Sequence, residues 1–330
     1  MNDIASQDLR THDKTPLLID TDPGVDDALA LLMAFDAPQF DVVALTIAAG
    51  NVGLTHTVAN ALKLCEVAGV DIPGFHVPVY AGCDAPLLHP APDASYVHGR
   101  DGFGDIGYAP AARQAEAEHA ALAMIRLSHT HAGRLAVCML GPLTNLAVAL
   151  KLDPTLPQRI GRMVVMGGAV TGQGNTTPTA EFNIGFDPEA AHLVFEAFAA
   201  AGKLVEVADW EAVIRHGMLH ADVEGWLQAE HPRARFYEAI SRKTREWSAG
   251  LRGERWHAAD ALAMALVVAP EHARRLERRP LRVELTGAET RGMTVVDWGR
   301  RSGRPDHTEL LMDYDQAAFE GLIRRALRVD

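Results

Sequence analysis

Short apolar runs rich in β-branched residues alternate with longer stretches at helical spacing along most of this chain, and that rhythm constrains its fold more than any other feature. Residues 17–20 read as a buried strand that runs into acidic and glycine residues, and 28–35 as a helix with Leu29, Leu32 and Phe35 on one side. A strand over 42–48 and a helix over 55–69 follow, then strand 135–140, helix 143–150, strand 163–166, helix 188–201 and a strand over 203–207. Parallel strands need such crossovers, so the expected fold class is α/β: a mostly parallel open sheet flanked by helices on both faces. Toward the C-terminus the rhythm changes. Residues 282–285, 293–297 and 309–312 read as shorter strands that pair antiparallel, and 317–327 as a closing helix. The stretch 208–258, helical and rich in Trp and Arg, reads as a cap-like segment. No Pro/Gly/Ser-rich linker interrupts the chain, so a single domain over 15–330 is expected, preceded by a flexible arm over 1–14.

Composition narrows the partners. The 330 residues carry 43 acidic against 31 basic side chains, a formal net charge of −12. Such a surface repels phosphate backbones, so nucleic acid is not an expected partner and a neutral or cationic small molecule is. Cys65, Cys83 and Cys138 lie far apart with no CxxC spacing, which is neither a disulfide framework nor a zinc site and suits a reducing cytosol. The polar N-terminus has no apolar core of a signal peptide, and no apolar run reaches the length of a membrane span. A cytoplasmic location without membrane contact is therefore expected.

In open α/β sheets ligands bind beyond the carboxyl ends of the strands. Here the first strand ends in Asp20, Asp22, Asp26 and Asp27, and the second in Asn51. Leu140 is followed by GPLTN, and the strand ending at Met166 runs into a polar loop holding Asn175, Glu181 and Asn183. Four aspartates within eight residues repel one another unless a cation neutralises them. All-oxygen donors select Ca²⁺ or Mg²⁺ over zinc. Helix capping accounts for one or two of the four but not for the set.

With these residues in view, the chain resembles the inosine-uridine-preferring nucleoside hydrolases over nearly its whole length. The resemblance is carried by DTDPGVDDALALL, Gly50-Asn51, HGRDGFG at 98–104, GPLTN at 141–145, MGG at 166–168, NTTPTAEFN at 175–183 and Asp260 in ADALA. It implies a calcium-dependent enzyme that hydrolyses the N-glycosidic bond of ribonucleosides to ribose and free base, through an oxocarbenium-like transition state. It further implies Asp22 as general base and calcium contact, with Asp27, the Leu140 carbonyl and Asp260 completing the protein ligands. Asn51 orients Asp22 or its water. Asp26 and Asn183 bind the 2′-hydroxyl, Asn175 and Glu181 the 5′-hydroxyl, Met166 belongs to the substrate wall, and His98 is a candidate contact for the base. A nucleoside partner, a role in purine or pyrimidine salvage and a homodimer or homotetramer are implied in the same way.

One position departs from the family pattern. Well-known members carry a histidine immediately before the last aspartate, and this chain has Ala259. His257 lies two residues earlier, on a helix that would turn it to another side. His257, Trp256 and Trp247 remain candidates for contacts to the leaving base. A nucleoside-binding homologue with little turnover is the alternative that Ala259 raises. An aspartate-dependent phosphatase, which also begins with D-x-D, is disfavoured because Pro23-Gly24 follows where a Gly-Thr turn is needed. Three further signals are set aside: His129 and His131 read as loop histidines, ARRLERR at 273–279 as a solvated face around a turn, and GGAVTGQG lacks the dinucleotide-binding spacing.

Overall fold

The structure, a computed structural model, describes residues 14–72, 74–91 and 95–329, so the expected N-terminal arm lies outside the described residues except for Lys14. Its strands in chain order are β1 (Thr15–Thr21), β2 (Phe40–Ile47), β3 (Val79–Ala81), β4 (Leu135–Met139), β5 (Ile160–Met166) and β6 (Val205–Ala208). The short β7 (Met218–Leu219) and β8 (Arg255–Trp256) follow, then β9 (Ala273–Arg279), β10 (Leu281–Val283), β11 (Thr294–Val296) and β12 (Thr308–Tyr314). The main sheet has the order β3-β2-β1-β4-β5-β6-β12-β9. All its pairs are parallel except β12 with β9.

β1 is an interior strand between β2 and β4, and period-two alternation explains how it feeds both faces. Leu17 and Ile19 enter one core with the helices Val25–Phe35 and Ala259–Val268, whereas Leu18 enters the other with the helices Ala120–Thr130 and Thr144–Leu152. Each such buried side chain stabilises the fold by about 1.5–3 kcal/mol. The chain leaves β1 toward β2 and β3, then returns to β4 on the opposite side, so the strand order reverses at β1. Ligand sites of open sheets form at that reversal. Here it is the segment after Thr21 that crosses it.

Two helices pack on one another beside β1 and both start at this rim. Val25–Phe35 has Asp26 and Asp27 in its first turn, and Ala259–Val268 has Asp260 in its own. All ten residues of Ala259–Val268 are buried, which is why ADALAMALVV is apolar all round.

The C-terminal expectations need correction. Thr308–Tyr314 does not pair with its two short neighbours; β10 and β11 form their own antiparallel ribbon, and β12 joins the main sheet beside β6. ARRLERR is the edge strand β9 and not a turn. Its charges are matched across and along the edge, Arg278 to Glu309 at 2.7 Å and Arg279 to Glu277 at 2.6 Å. A charged edge also discourages pairing with another sheet. The cap-like segment holds the helices Trp210–Arg215, His220–Trp226 and Pro232–Arg252 and the ribbon β7–β8. Pro232–Arg252 lies against Val25–Phe35, Leu54–Ala68, Ser95–His98 and Gln316–Leu327. No described helix is long and apolar enough to cross a membrane.

Candidate active site

Asp22 follows β1 directly and is enclosed by backbone. Its Oδ2 accepts the Asn51 amide at 2.7 Å, while the Asn51 side-chain nitrogen donates to the Asp22 carbonyl and to Asp27 Oδ2, each at 3.1 Å. Glycine is required on both flanks. A Cβ on Gly50 would stand 2.0 Å from Asp22 Oδ2, and one on Gly141 2.4 Å from Oδ1. Asp22 Oδ1 is nevertheless buried with no hydrogen-bond partner among the described residues. Burial first, then the neighbouring Asp27, pushes the Asp22 carboxyl well above the usual carboxylate range.

Asp27 is held from three directions. The Thr21 hydroxyl donates to its Oδ1, and Oδ2 takes the Gly24 amide at 2.8 Å as well as the Asn51 side chain. The Gly24 contact is the reach-back half of a helix capping box. Asp26 and Asp260 bring their oxygens to the same place: one carboxylate oxygen from each of Asp26, Asp27 and Asp260 lies within 4.8 Å of the others. Burial raises Asp26 to about 6 and lifts Asp260 well above the usual carboxylate range, with the adjacent carboxylates adding to the rise at Asp260. Asp26 Oδ1, like Asp22 Oδ1, is a buried atom lacking a partner among the described residues.

An unpaired buried polar atom costs about 1–3 kcal/mol and more when charged. A divalent cation would take up the orphaned oxygens and cancel the repulsion, and the donors are all oxygen, as calcium prefers. The residues therefore fit the metal that the family resemblance implies. Leu140 supports the same fit. Its carbonyl accepts from the Asn183 side chain at 2.6 Å, and a carbonyl has a second lone pair to offer.

The opposite wall of this rim is set by the loop after β5. Glu181 Oε1 accepts the Asn183 amide at 2.9 Å, and Oε2 the Gly168 amide at 2.9 Å and the Ile184 amide at 3.1 Å. Burial still lifts Glu181 to about 7 against these donors. Asn183 also donates to the Met166 carbonyl at 3.2 Å, and Asn175 Oδ1 accepts the Phe182 amide at 2.8 Å. Each amide spends one end on the backbone and keeps the other for a ligand.

These groups line one cavity of about 240 Å³. Its lining also carries aromatic rings and a cation: Trp210, Trp247, Trp256, His257 and Arg252, with His98 beside the helix start. His98 Nδ1 accepts the Val25 amide at 3.3 Å, and burial holds its ring down at about 4. His257 is likewise pushed down to about 4, by burial first and then by Arg252, His220 and Arg255. Both rings are neutral at pH 7.

The family model of inosine-uridine preferring nucleoside hydrolases matches residues 17–321. The chain belongs to that family. It is 34% identical to the inosine-uridine preferring nucleoside hydrolase of Crithidia fasciculata over 94% of this chain and 96% of that one. To the non-specific ribonucleoside hydrolase RihC of Salmonella enteritidis it is 36% identical over 92% and 94%. Among solved structures, a plant nucleoside hydrolase superposes with a TM-score of 0.88 at 28% identity, covering 96% of this chain and 99% of the other.

For this nucleoside hydrolase the residues singled out in the sequence come together almost completely. Asp22, Asp26, Asn51, His98, Leu140, Met166, Asn175, Glu181, Asn183, Trp247, Trp256, His257 and Asp260 all line the cavity. Asp27 does not; it stands behind the others, with both oxygens engaged. One geometric expectation is corrected: His257 is not on the helix of Asp260 but in the two-residue link between β8 and that helix, which turns it into the cavity. Sequence reasoning missed Trp210 and Arg252. The signal for Trp210 was available, because Asp209-Trp210 follows β6 just as the other site residues follow their strands.

Proposed function

We propose that this nucleoside hydrolase cleaves the N-glycosidic bond of ribonucleosides to ribose and free base in a calcium-dependent reaction. The observation that carries the reading is the make-up of the cavity, whose lining joins orphaned carboxylate oxygens with aromatic rings and a cation. A ribosyl group that gains positive charge suits the carboxylates, and a departing base suits the rings.

Asp22, Asp27, Asp260 and the Leu140 carbonyl would hold calcium, which when bound supplies Lewis-acid polarisation of the oxygens beside it. Asp22 takes one proton from the attacking water as the water oxygen bonds to C1′. Asn51 fixes Asp22 through the 2.7 Å amide contact. Asp26 and Asn183 bind the 2′-hydroxyl and Asn175 and Glu181 the 5′-hydroxyl, the Met166 side chain closing the wall beside them. The bonding pair leaves with the base past His98, Trp247, Trp256 and His257, and the base then takes a proton from solvent.

The deciding experiment is ribose release from inosine, adenosine, guanosine, uridine and cytidine and from 4-nitrophenyl riboside, with and without calcium. Release from at least one natural nucleoside, only with calcium, is expected. Ala259, where well-known family members carry a histidine, favours one second reading, a nucleoside-binding protein with little turnover. Tight nucleoside binding without ribose release from any substrate would establish it.

His257 is a contact for the base rather than its acid. A ring held at about 4 carries no spare proton at pH 7. Since general acid catalysis contributes about 10²–10⁴-fold, His257→Ala is expected to cost less than about tenfold in kcat on natural nucleosides. A loss of about 100-fold there, with 4-nitrophenyl riboside spared, would make it the acid after all.

A further inference from the structure

Asparagine is a poor choice for a helix interior, because its side chain competes with the backbone for hydrogen bonds. Asn60 nevertheless stands in the middle of the helix Leu54–Ala68 and is wholly buried. We propose that Asn60 is a positioning residue that ties the Asp22-Pro23 turn to the His98–Asp105 loop, so that metal binding at the turn and seating of His98 against the nucleoside depend on one another. This rests on the calcium-dependent nucleosidase reading above and adds a residue that acts through both halves of its site.

Both N–H groups of the Asn60 side chain are spent on this link. Its nitrogen donates to the Pro23 carbonyl and to the Asp101 carbonyl, each at 2.8 Å. The Tyr108 hydroxyl donates to its oxygen. Two carbonyls need two N–H donors, so the orientation of the amide is fixed. Pro23 lies between Asp22 and Gly24, and the Gly24 amide holds Asp27 at 2.8 Å. Loop and turn are also packed directly on one another. A Cβ on Gly102, whose φ is +80°, would stand 2.8 Å from Asn60 Nδ2 and 3.3 Å from the Pro23 carbonyl oxygen. One on Gly24 would stand 2.8 Å from His98 Nδ1.

Internal bonds make the loop transmit a shift at Asp101 to His98. Asp101 Oδ1 accepts the Phe103 amide at 2.8 Å and the Asp105 amide at 3.0 Å, and the Gly104 amide donates to the His98 carbonyl at 2.8 Å. Phe103 is buried against Tyr108 and Phe236, with ring centroids 5.6 and 5.8 Å away. Tyr108 thus braces both the loop and the amide that binds it. Without that amide, two carbonyls and a hydroxyl lose their partner, and the turn loses a restraint directly beside Asp22. An amide that only fills the core would cost stability alone. One that positions the turn and the loop changes metal affinity and substrate affinity together. Groups that orient metal ligands contribute about 10- to 100-fold in metal affinity.

The test compares wild type, Asn60→Ala, His98→Ala and the double variant, with Cys65→Ala, buried on the same helix, as a control. Calcium is titrated calorimetrically without substrate, and hydrogen exchange of the 99–105 amides is followed with and without calcium. KM and kcat are measured at saturating calcium on the best natural nucleoside. Calcium is expected to slow exchange over 99–105 in wild type. Asn60→Ala should weaken calcium binding by about 10- to 100-fold and remove that slowing. It should raise KM by about tenfold with kcat little changed. That KM cost should shrink by about threefold or more when His98 is already alanine, because the two act through one contact. Cys65→Ala should lower the unfolding temperature and leave calcium affinity as it was. If Asn60→Ala does not fold, Tyr108→Phe takes its place, with a smaller shift in the same direction. Unchanged calcium affinity in the folded variant overturns the proposal. So does wild-type exchange over 99–105 that ignores calcium, or KM costs of Asn60→Ala and His98→Ala that simply multiply. Failure of the underlying reading looks different: wild type would then bind no calcium or release no ribose.

Discussion

Asp22→Asn is expected to lower kcat on the preferred nucleoside by roughly 10²- to 10⁴-fold, the range for removal of a general base. The substitution is chosen because its shape is neutral. Asparagine keeps an oxygen for the Asn51 amide, now 2.7 Å from Asp22 Oδ2, and fits the same space between Gly50 and Gly141. It removes a carboxylate that burial and Asp27 already disfavour in its charged form. In the calcium-free proteins thermal unfolding should therefore occur at or above the wild-type temperature, and circular dichroism should be unchanged. With its one oxygen on the Asn51 amide, asparagine puts an NH2 where the unpartnered Oδ1 stood and weakens calcium contact there, so turnover is compared at saturating calcium, which should not restore it. Near-wild-type kcat in the folded variant would remove Asp22 from the role of base. Recovery of turnover at high calcium would make it a metal ligand only.

Much of this site was legible in the sequence because its residues sit at strand ends. β1, β4 and β5 are covered on both faces, so they read as continuous apolar runs whose ends are sharp. The residues beyond those ends, Asp22, Leu140 and then Asn183 across the loop, land on one rim without any knowledge of packing. The edges of the sheet were not legible in that way. β3 has three residues, and β9 is a strand only because β12 pairs with it; its Arg and Glu side chains carry no alternation to betray it. β12 joined β6 rather than the ribbon β10–β11, a choice made by tertiary pairing and not by local pattern. The base end was dark for a similar reason. Trp210 and Arg252 meet through the placement of one long helix, and no spacing rule brings them together. His257 was misassigned by one boundary: starting the helix at Ala259 leaves it in a link, free to face the cavity.

Removal of metal is expected to abolish turnover outright, and calcium to restore it. The carboxylates of Asp26, Asp27 and Asp260 converge within 4.8 Å, and Asp22 adds an orphaned oxygen nearby. Without a cation, burial and mutual repulsion disfavour the charged forms of Asp22, Asp26 and Asp260. Calcium would favour the charged form of Asp22 that accepts a proton from water, besides supplying Lewis-acid chemistry. Calcium bound to the folded chain should also stabilise it, by about 2.7 kcal/mol when free calcium is 100-fold above its Kd. Activity and unfolding temperature should thus rise together along one calcium titration after exhaustive chelation. Zinc should substitute poorly, because among the described residues the converging set is made of the carboxylates of Asp26, Asp27 and Asp260. Full activity in the chelated protein would contradict the metal assignment. A rise in unfolding temperature without activity would instead assign calcium a structural part and return the catalytic burden to the side chains alone.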